Sequence, residues 1–253
     1  MTERVPVIRD FALQMGDNCL ILGQQLSKWC GHAPALEEDI ATANTALDLI
    51  GQTKLWFDLA IVHSEEDESP DALAFLRDVR AFKNCLLVEQ SDDDFAHTLM
   101  RQFLFDAWHL PVLEHLQRAN HQPIADIAAK AVKEVRYHLE RSGDLVVRLG
   151  DGSEESHNKM QAALNALWRF SAEPMMLDAI SEEMTGQGYI PPLETVKAQF
   201  DDLIGNIFQA ATLEVPQDTP MAKGGKQGLH SEAFGRMIAE MQWLQRAYPQ
   251  AQW

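Results

Sequence analysis

Apolar residues in this chain recur every three or four positions over long stretches, the period of helices that bury one face. The first stretch runs from about Arg9 to Trp29, with Leu13, Leu20, Ile21 and Leu26 in phase. Gly31-His-Ala-Pro34 ends it, because a proline suits a helix start and not its interior. The second runs from about Leu36 to His63, and its stripe reads Ile40, Ala43, Leu47, Ile50, Phe57 and Ile61. The acidic run from Ser64 to Pro70 is a solvated turn. Asp71 to Asn84 predicts a shorter helix and Leu86-Leu-Val88 a brief extended piece.

Asp92-Asp-Asp94 supplies an N-cap and an acidic first turn, which the helix dipole favours, for a helix reaching about Asn120. Leu99, Phe103, Asp106, Leu110 and Leu113 form its stripe, and Pro111 inside it predicts a kink. From Pro123 a long helix reaches Gly150, and Ser153-x-x-Ser156 opens another through Ser171. A short helix near Met176 to Glu183, a helix from Leu193 to Leu213, a Lys- and Gly-containing loop from Pro216 to Gly228, and a helix from Ser231 to Tyr248 complete the chain. Four helices of roughly 20 to 29 residues exceed the usual ~11 to 12. Joined by short turns, they predict an all-α, four-helix bundle with additional C-terminal helices. No repeat or low-complexity linker divides residues 1–253, so a single domain is expected.

Composition changes the picture mainly by exclusion. The net charge of −17, from 38 acids against 21 bases, repels a phosphate backbone and argues against nucleic acid. Cys19, Cys30 and Cys85 include no C-x-x-C pair and read as reduced thiols. No stretch approaches the ~18 to 20 apolar residues of a membrane span, and the charged N-terminus lacks a signal-peptide core. A cytoplasmic protein with no membrane association is expected.

The chemistry-bearing positions are ionisable residues in phase with apolar stripes: Asp17 on the first helix, Asp106 on the fourth and His138 on the fifth, with Asp48 and Gln52 beside the second stripe. A carboxylate facing a core costs several kcal/mol unless paired or metal-bound. Di-iron bundles of the ferritin type answer that cost with one Glu from each of two helices and Glu-x-x-His from each of two others. Glu-x-x-His does not occur here: Glu134 and His138 stand four apart, and Val135 occupies the position three before His138. Asp106-x-x-His109 has the spacing, but it is a single pair with the shorter acid. Lys54, Arg136 or a protonated His138 are the expected internal partners of these acids.

Fragments across the whole chain resemble one family. Gly16-Asp-Asn-Cys-Leu-Ile-Leu22, Trp29-Cys-Gly-His-Ala-Pro34, Leu47-Asp-Leu-Ile-Gly-Gln52, Phe105-Asp-Ala-Trp-His109, Lys133-Glu-Val-Arg-Tyr-His138 and Gly224-Gly-Lys-x-Gly-Leu-His230 are similar, in order, to the structural subunits of bacterial phenylacetyl-CoA epoxidases. The resemblance continues to the Gln-Trp terminus. It implies a ferritin-like bundle, itself non-catalytic and without cofactor, paired with a homologous di-iron catalytic subunit. A small accessory subunit and a reductase complete that oxygenase, which forms the 1,2-epoxide of phenylacetyl-CoA in aerobic phenylacetate degradation. A homodimer in isolation is compatible with it.

The catalytic homologue's metal-binding segments, by the same resemblance, run Asp-Glu-Ala-Gly-His and Lys-Glu-Glu-Ser-Phe-His. Aligned on the Gly and the Lys-Glu, they put Leu49-x-x-Gln52 and Val135-x-x-His138 at the two Glu-x-x-His motifs, with the single Glu positions near Asp17 and Asp106. A one-residue shift would restore Asp48 but put Gly51 at a histidine position. The expected site is therefore degenerate: Asp17, Asp48, Leu49, Gln52, Asp106, Val135 and His138. The alternative is a self-sufficient metal-dependent oxidoreductase using Asp106, His109 and His138. Lys223 and Lys226 flank a Gly-Gly turn whose backbone donors suit a coenzyme A phosphate or a subunit contact, although the P-loop spacing is absent.

Overall fold

In chain order, α1 (Pro6–Ser27) and α2 (Leu36–Val62) form one antiparallel pair; α3 (Pro70–Phe75) and two 3₁₀ turns, Val79–Ala81 and Leu86–Glu89, lead across to α4 (Phe95–Leu116), which pairs with α5 (Gln122–Gly150). The remaining helices are α6 (Glu154–Leu167), α7 (Ala179–Gly186), α8 (Leu193–Ala210) and α9 (Glu232–Ala247). The computed structural model describes residues 5–91 and 94–251, and among these there is no strand. The all-α, ferritin-like architecture holds, with α1, α2, α4 and α5 as the bundle. Asp92 and Asp93 of the expected N-cap, and the Gln-Trp terminus, lie outside the described residues. Asp94 is the cap of α4, accepting from the His97 backbone N–H at 2.9 Å.

Close approach of α1 and α2 depends on small residues. A Cβ on Gly16 would lie 2.6 Å from the Phe57 ring, and one on Gly23 would lie 3.2 Å from the Ala46 carbonyl oxygen. Thr53 adds a hydroxyl bond to the Gly16 carbonyl. Across the bundle, α2 meets α5 through Arg141 on Glu38, His138 on Asp48 and Gln52 on Glu134. One hydrophobic core runs from Val7 to Ile238 and includes the fully buried Trp56, Phe103 and Phe105. Trp29 packs edge-on to Phe95, Trp168 is half-buried, and Trp243 is exposed.

Three local expectations are corrected. The α2 face that meets the core carries Thr42, Thr45, Ala46, Leu49, Gln52, Thr53, Trp56 and Ala60, whereas Ile40, Leu47 and Ile50 of the expected stripe face solvent. Both faces of this helix are apolar enough to be buried, so periodicity alone could not choose between them. The helix expected from Asp71 to Asn84 stops at Phe75. Its last carbonyls are taken by other elements: Gln242 and Arg246 of α9 donate to the carbonyls of Ala74, Leu76 and Arg77. Leu86 to Glu89 is a buried 3₁₀ turn and not an extended piece.

That turn is held by two buried carboxylates. Glu89 accepts from Asn84 Nδ2 and the Ser231 backbone N–H, and lies 2.7 Å from His230 Nδ1. Glu173 accepts from the backbone N–H groups of Leu86, Gly224 and Gly225 at 2.6, 2.7 and 2.8 Å. The glycines of this loop meet backbone directly: a Cβ on Gly225 would collide with the Asn84 oxygen, and one on Gly228, at φ +79°, with the Arg80 oxygen. Gly51, mid-α2, has open space there instead. Gly225→Ala and Gly228→Ala are each expected to cost about 2 kcal/mol or more, while Gly51→Ala gains about 0.5 to 1 kcal/mol. Urea unfolding of the three variants measures this, and equal effects would contradict the packing described.

Candidate functional site

Helix phase brings Leu49, Gln52, Val135 and His138 to the interior of the α2–α5 contact, all buried. Asp48 and Gly51, the other register, are half-buried and exposed respectively. The inward pair on α2 is therefore an aliphatic side chain and an amide. Gln52 donates to Glu134 Oε2 at 2.9 Å, and Cys19 approaches its amide oxygen at 3.8 Å from α1. Neither Cys19 nor Glu134 belongs to the set expected from sequence. Glu134 stands four residues before His138, outside the motif spacing, and it joins through Gln52, a contact between helices that spacing within α5 cannot reveal. Burial, reinforced by Asp48, pushes the Glu134 carboxyl up, and Gln52 and Lys130 only partly offset this.

Asp17 turns elsewhere. Fully buried on α1, it accepts from both terminal nitrogens of Arg77 and from the Lys83 backbone N–H at 2.7 Å. The Arg77 guanidinium lies 4.3 Å from the Phe82 ring centroid and 5.3 Å from that of Phe57. The expected partners are not used: Lys54 pairs with Asp58 and Arg136 with Glu114, both on the surface. Arg77 lies 60 residues from Asp17 in a loop-like stretch, and only the folded path places it there.

Asp106 is fully buried between Gln102 Nε2, at 2.6 Å, and Ser142 Oγ, at 3.0 Å. Burial drives its carboxyl well above the usual carboxylate range; Ser142, Gln102 and the more distant Arg141 pull the other way without prevailing. His138 Nε2 lies 2.9 Å from Asp48 Oδ2. The expected charged imidazole is corrected here. Burial lowers the affinity of His138 for a second proton by more than Asp48 raises it, so this contact is a neutral ring donating to a carboxylate. That tautomer leaves Nδ1 a bare acceptor, and among the described residues it is buried without a partner.

His109 is more isolated. It stacks on Trp108 at an interplanar angle of 15° and touches Phe105, with neither ring nitrogen hydrogen-bonded among the described residues. Burial, and then His138, lower its pKa to about 3. His138 is near enough to His109 to lower its proton affinity, but Asp106 and His138 are held by different hydrogen-bond partners. Among the described residues, no three His, Cys, Asp or Glu side chains converge in a way that could hold a metal ion. A nearby cavity bounded by Phe11, Met15, Trp108 and Val112 measures about 50 Å³. That is room for one or two waters, far short of an acyl-CoA.

Lys226 is not available to a ligand phosphate. Its ammonium lies 2.8 Å from Asp178 Oδ2 and donates to the Met176 carbonyl, and the side chain is nearly buried. The adjacent Gly224 and Gly225 N–H groups do bind an anion, but it is the chain's own Glu173. Lys223 remains exposed.

A family model described as "Phenylacetic acid catabolic protein" matches residues 2–253. The chain is also 45% identical over 243 residues to a subunit of the 1,2-phenylacetyl-CoA epoxidase of Escherichia coli (strain K12), covering 96% of this chain and 98% of that relative.

The contrast between the two buried acids is testable. Asp17→Asn leaves Arg77 without its counter-charge and is expected to cost about 3 to 5 kcal/mol in urea unfolding, whereas Asp106→Asn, close to the protonated acid in shape and charge, is expected to cost under about 1.5 kcal/mol. Comparable losses would mean that Asp106 is ionised in the fold. The histidines set a pH dependence. His63, His109, His121 and His138 all have depressed proton affinity, so their unfolded forms take up protons first, and stability falls as pH drops below about 6.5 toward the value of about 3 for His109. Asp106 has the opposite sign, its contribution weakening as pH rises above the ordinary carboxylate value. His109→Leu is expected to remove on the order of 2 kcal/mol of the loss between pH 6.5 and 5. Stability curves for variant and wild type that run parallel with pH would refute a neutral His109.

Proposed function

Because the chain belongs to the phenylacetic acid catabolic protein family, we propose that it is the structural subunit of a multicomponent phenylacetyl-CoA epoxidase in aerobic phenylacetate catabolism. On this reading it is a single cytoplasmic domain that pairs with a homologous di-iron catalytic subunit. A small accessory subunit and a reductase belong to the same assembly, and the assembly as a whole holds phenylacetyl-CoA. The observation that carries the reading is the donor chemistry at the inward positions of α2 and α5. Leu49 and Val135 offer no donor atom, and Gln52 offers an amide already bonded to Glu134. Two irons require carboxylates at such positions, and this set does not fit them.

The chain's own residues replace metal charge with local neutralisation. Arg77 balances Asp17; burial with two neutral donors favours a protonated Asp106; His109 and His138 stay uncharged. Each arrangement keeps the bundle interior electrostatically quiet without a cofactor, which suits a scaffold. The relative's name, as one subunit of an epoxidase, supports assembly with other subunits. The nearly buried Lys226 weakens a role for Lys223 and Lys226 in coenzyme A recognition and favours a structural one.

The second reading is a metal-dependent oxidoreductase acting by itself through Asp106, His109 and His138. The unpartnered ring nitrogens of His109 and Nδ1 of His138 favour it, and the separation of these side chains into distinct contacts opposes it. Co-expression with the catalytic partner, followed by size exclusion and iron quantification on each separated chain, decides between them. The expected result is a stable complex with iron confined to the partner and no epoxidation by this chain alone. Stoichiometric iron in this chain, or turnover in isolation, would sink the structural assignment.

A further inference from the structure

Helix α2 is covered on one side only. Leu36, Ile40, Ala43, Leu47 and Ile50 recur at intervals of four, three, four and three residues along its outer side, the a/d spacing of a helix that packs against another helix. Four of them are among the most exposed large apolar side chains of the chain: Leu36 at 71%, Ile40 at 54%, Leu47 at 66% and Ile50 at 41%. The opposite side, with Leu49, Thr53 and Trp56, is already in the core. A helix apolar on both sides is normally buried on both, yet most of this row is left in solvent, with Ile50 at its edge reaching back toward Gly23 of α1.

We propose that the outer seam of α2 is the docking surface for an apolar-striped helix of the partner subunit; this rests on reading the chain as one subunit of a larger enzyme. The spacing calls for a helix, not a loop or a strand. Gly51 beside the lower end of the row has open space where a Cβ would be, allowing a second backbone to approach. The exposed Tyr137 stands on α5, next to His138, whose ring joins α5 to Asp48 of α2.

Charge selects the occupant. The seam is flanked by Glu37 and by the half-exposed Asp48, on a chain of net charge −17. A second copy would bring like fields together, whereas a partner helix with Lys or Arg beside its apolar row is attracted and oriented. Docking here would also shield the solvent-facing side of Asp48, and with it the His138 bond between α2 and α5.

The test is a Leu47→Glu/Ile50→Glu double variant of the full chain, co-expressed with the catalytic subunit of its own enzyme, beside a Trp243→Glu control on α9. Both substituted side chains of the double variant are exposed, so circular dichroism and melting of the isolated chain should match wild type. The expected result is at least a 30-fold loss of affinity for the catalytic subunit in the double variant and none in the control. Retained affinity in the double variant, or loss confined to Trp243→Glu, overturns the surface. A double variant that abolishes self-association while leaving the hetero-complex intact overturns the chosen occupant in favour of a second copy. If the wild-type chain itself fails to bind the catalytic subunit, the subunit reading falls and this surface with it.

Discussion

The Asp17–Arg77 ion pair is the contact on which the most distant parts of the chain converge. Asp17 is fully buried on α1, and a lone carboxylate there would be prohibitive. Its two oxygens are used by Arg77 and by the Lys83 backbone, which fixes the course of the segment after α3. The same segment offers its carbonyls to Gln242 and Arg246, so α9 closes over it. Phe82, against which the guanidinium lies, packs in turn on Phe234 of α9. One buried charge thereby organises three stretches separated by scores of residues.

The same economy governs the other buried acids. Glu89 and Glu173 are each met by two or three donors, mostly backbone N–H groups, and these bonds stitch the Leu86–Glu89 turn to the Gly224–Ser231 loop. Asp106 is met by neutral donors only, and its burial favours the proton-bearing form. Where ferritin-type bundles gather carboxylates around a shared positive centre, this chain disperses them, each with a private partner.

This interior contrasts with the outer side of α2. There the bundle leaves Leu and Ile uncovered in a regular row while the polar Thr42, Thr45, Gln52 and Thr53 turn inward. The inversion has a physical reason. The inward positions must supply hydrogen bonds between helices, Gln52 to Glu134 and Thr53 to the Gly16 carbonyl, which Leu or Ile cannot make, while Gly16 and Gly23 of α1 leave room for Phe57, Trp56 and Leu49 beside them.

The all-α class, the four long helices and the helix starts at Asp94 and Ser153 were legible in the sequence, because hydrophobic period and capping chemistry are local. The in-phase placement of Asp17, Asp106 and His138 was legible for the same reason, and all three are buried. Tertiary structure decided what local signals cannot carry. It chose which face of α2 is inside, since both are apolar. It supplied Arg77 to Asp17 across 60 residues, and Gln52 to Glu134 across 82. It gave the Gly224-Gly225 donors to Glu173 instead of leaving them for a ligand. A sequence specifies which side chains need partners, through the cost of burying them unpaired; which partner arrives depends on the path of the whole chain through space.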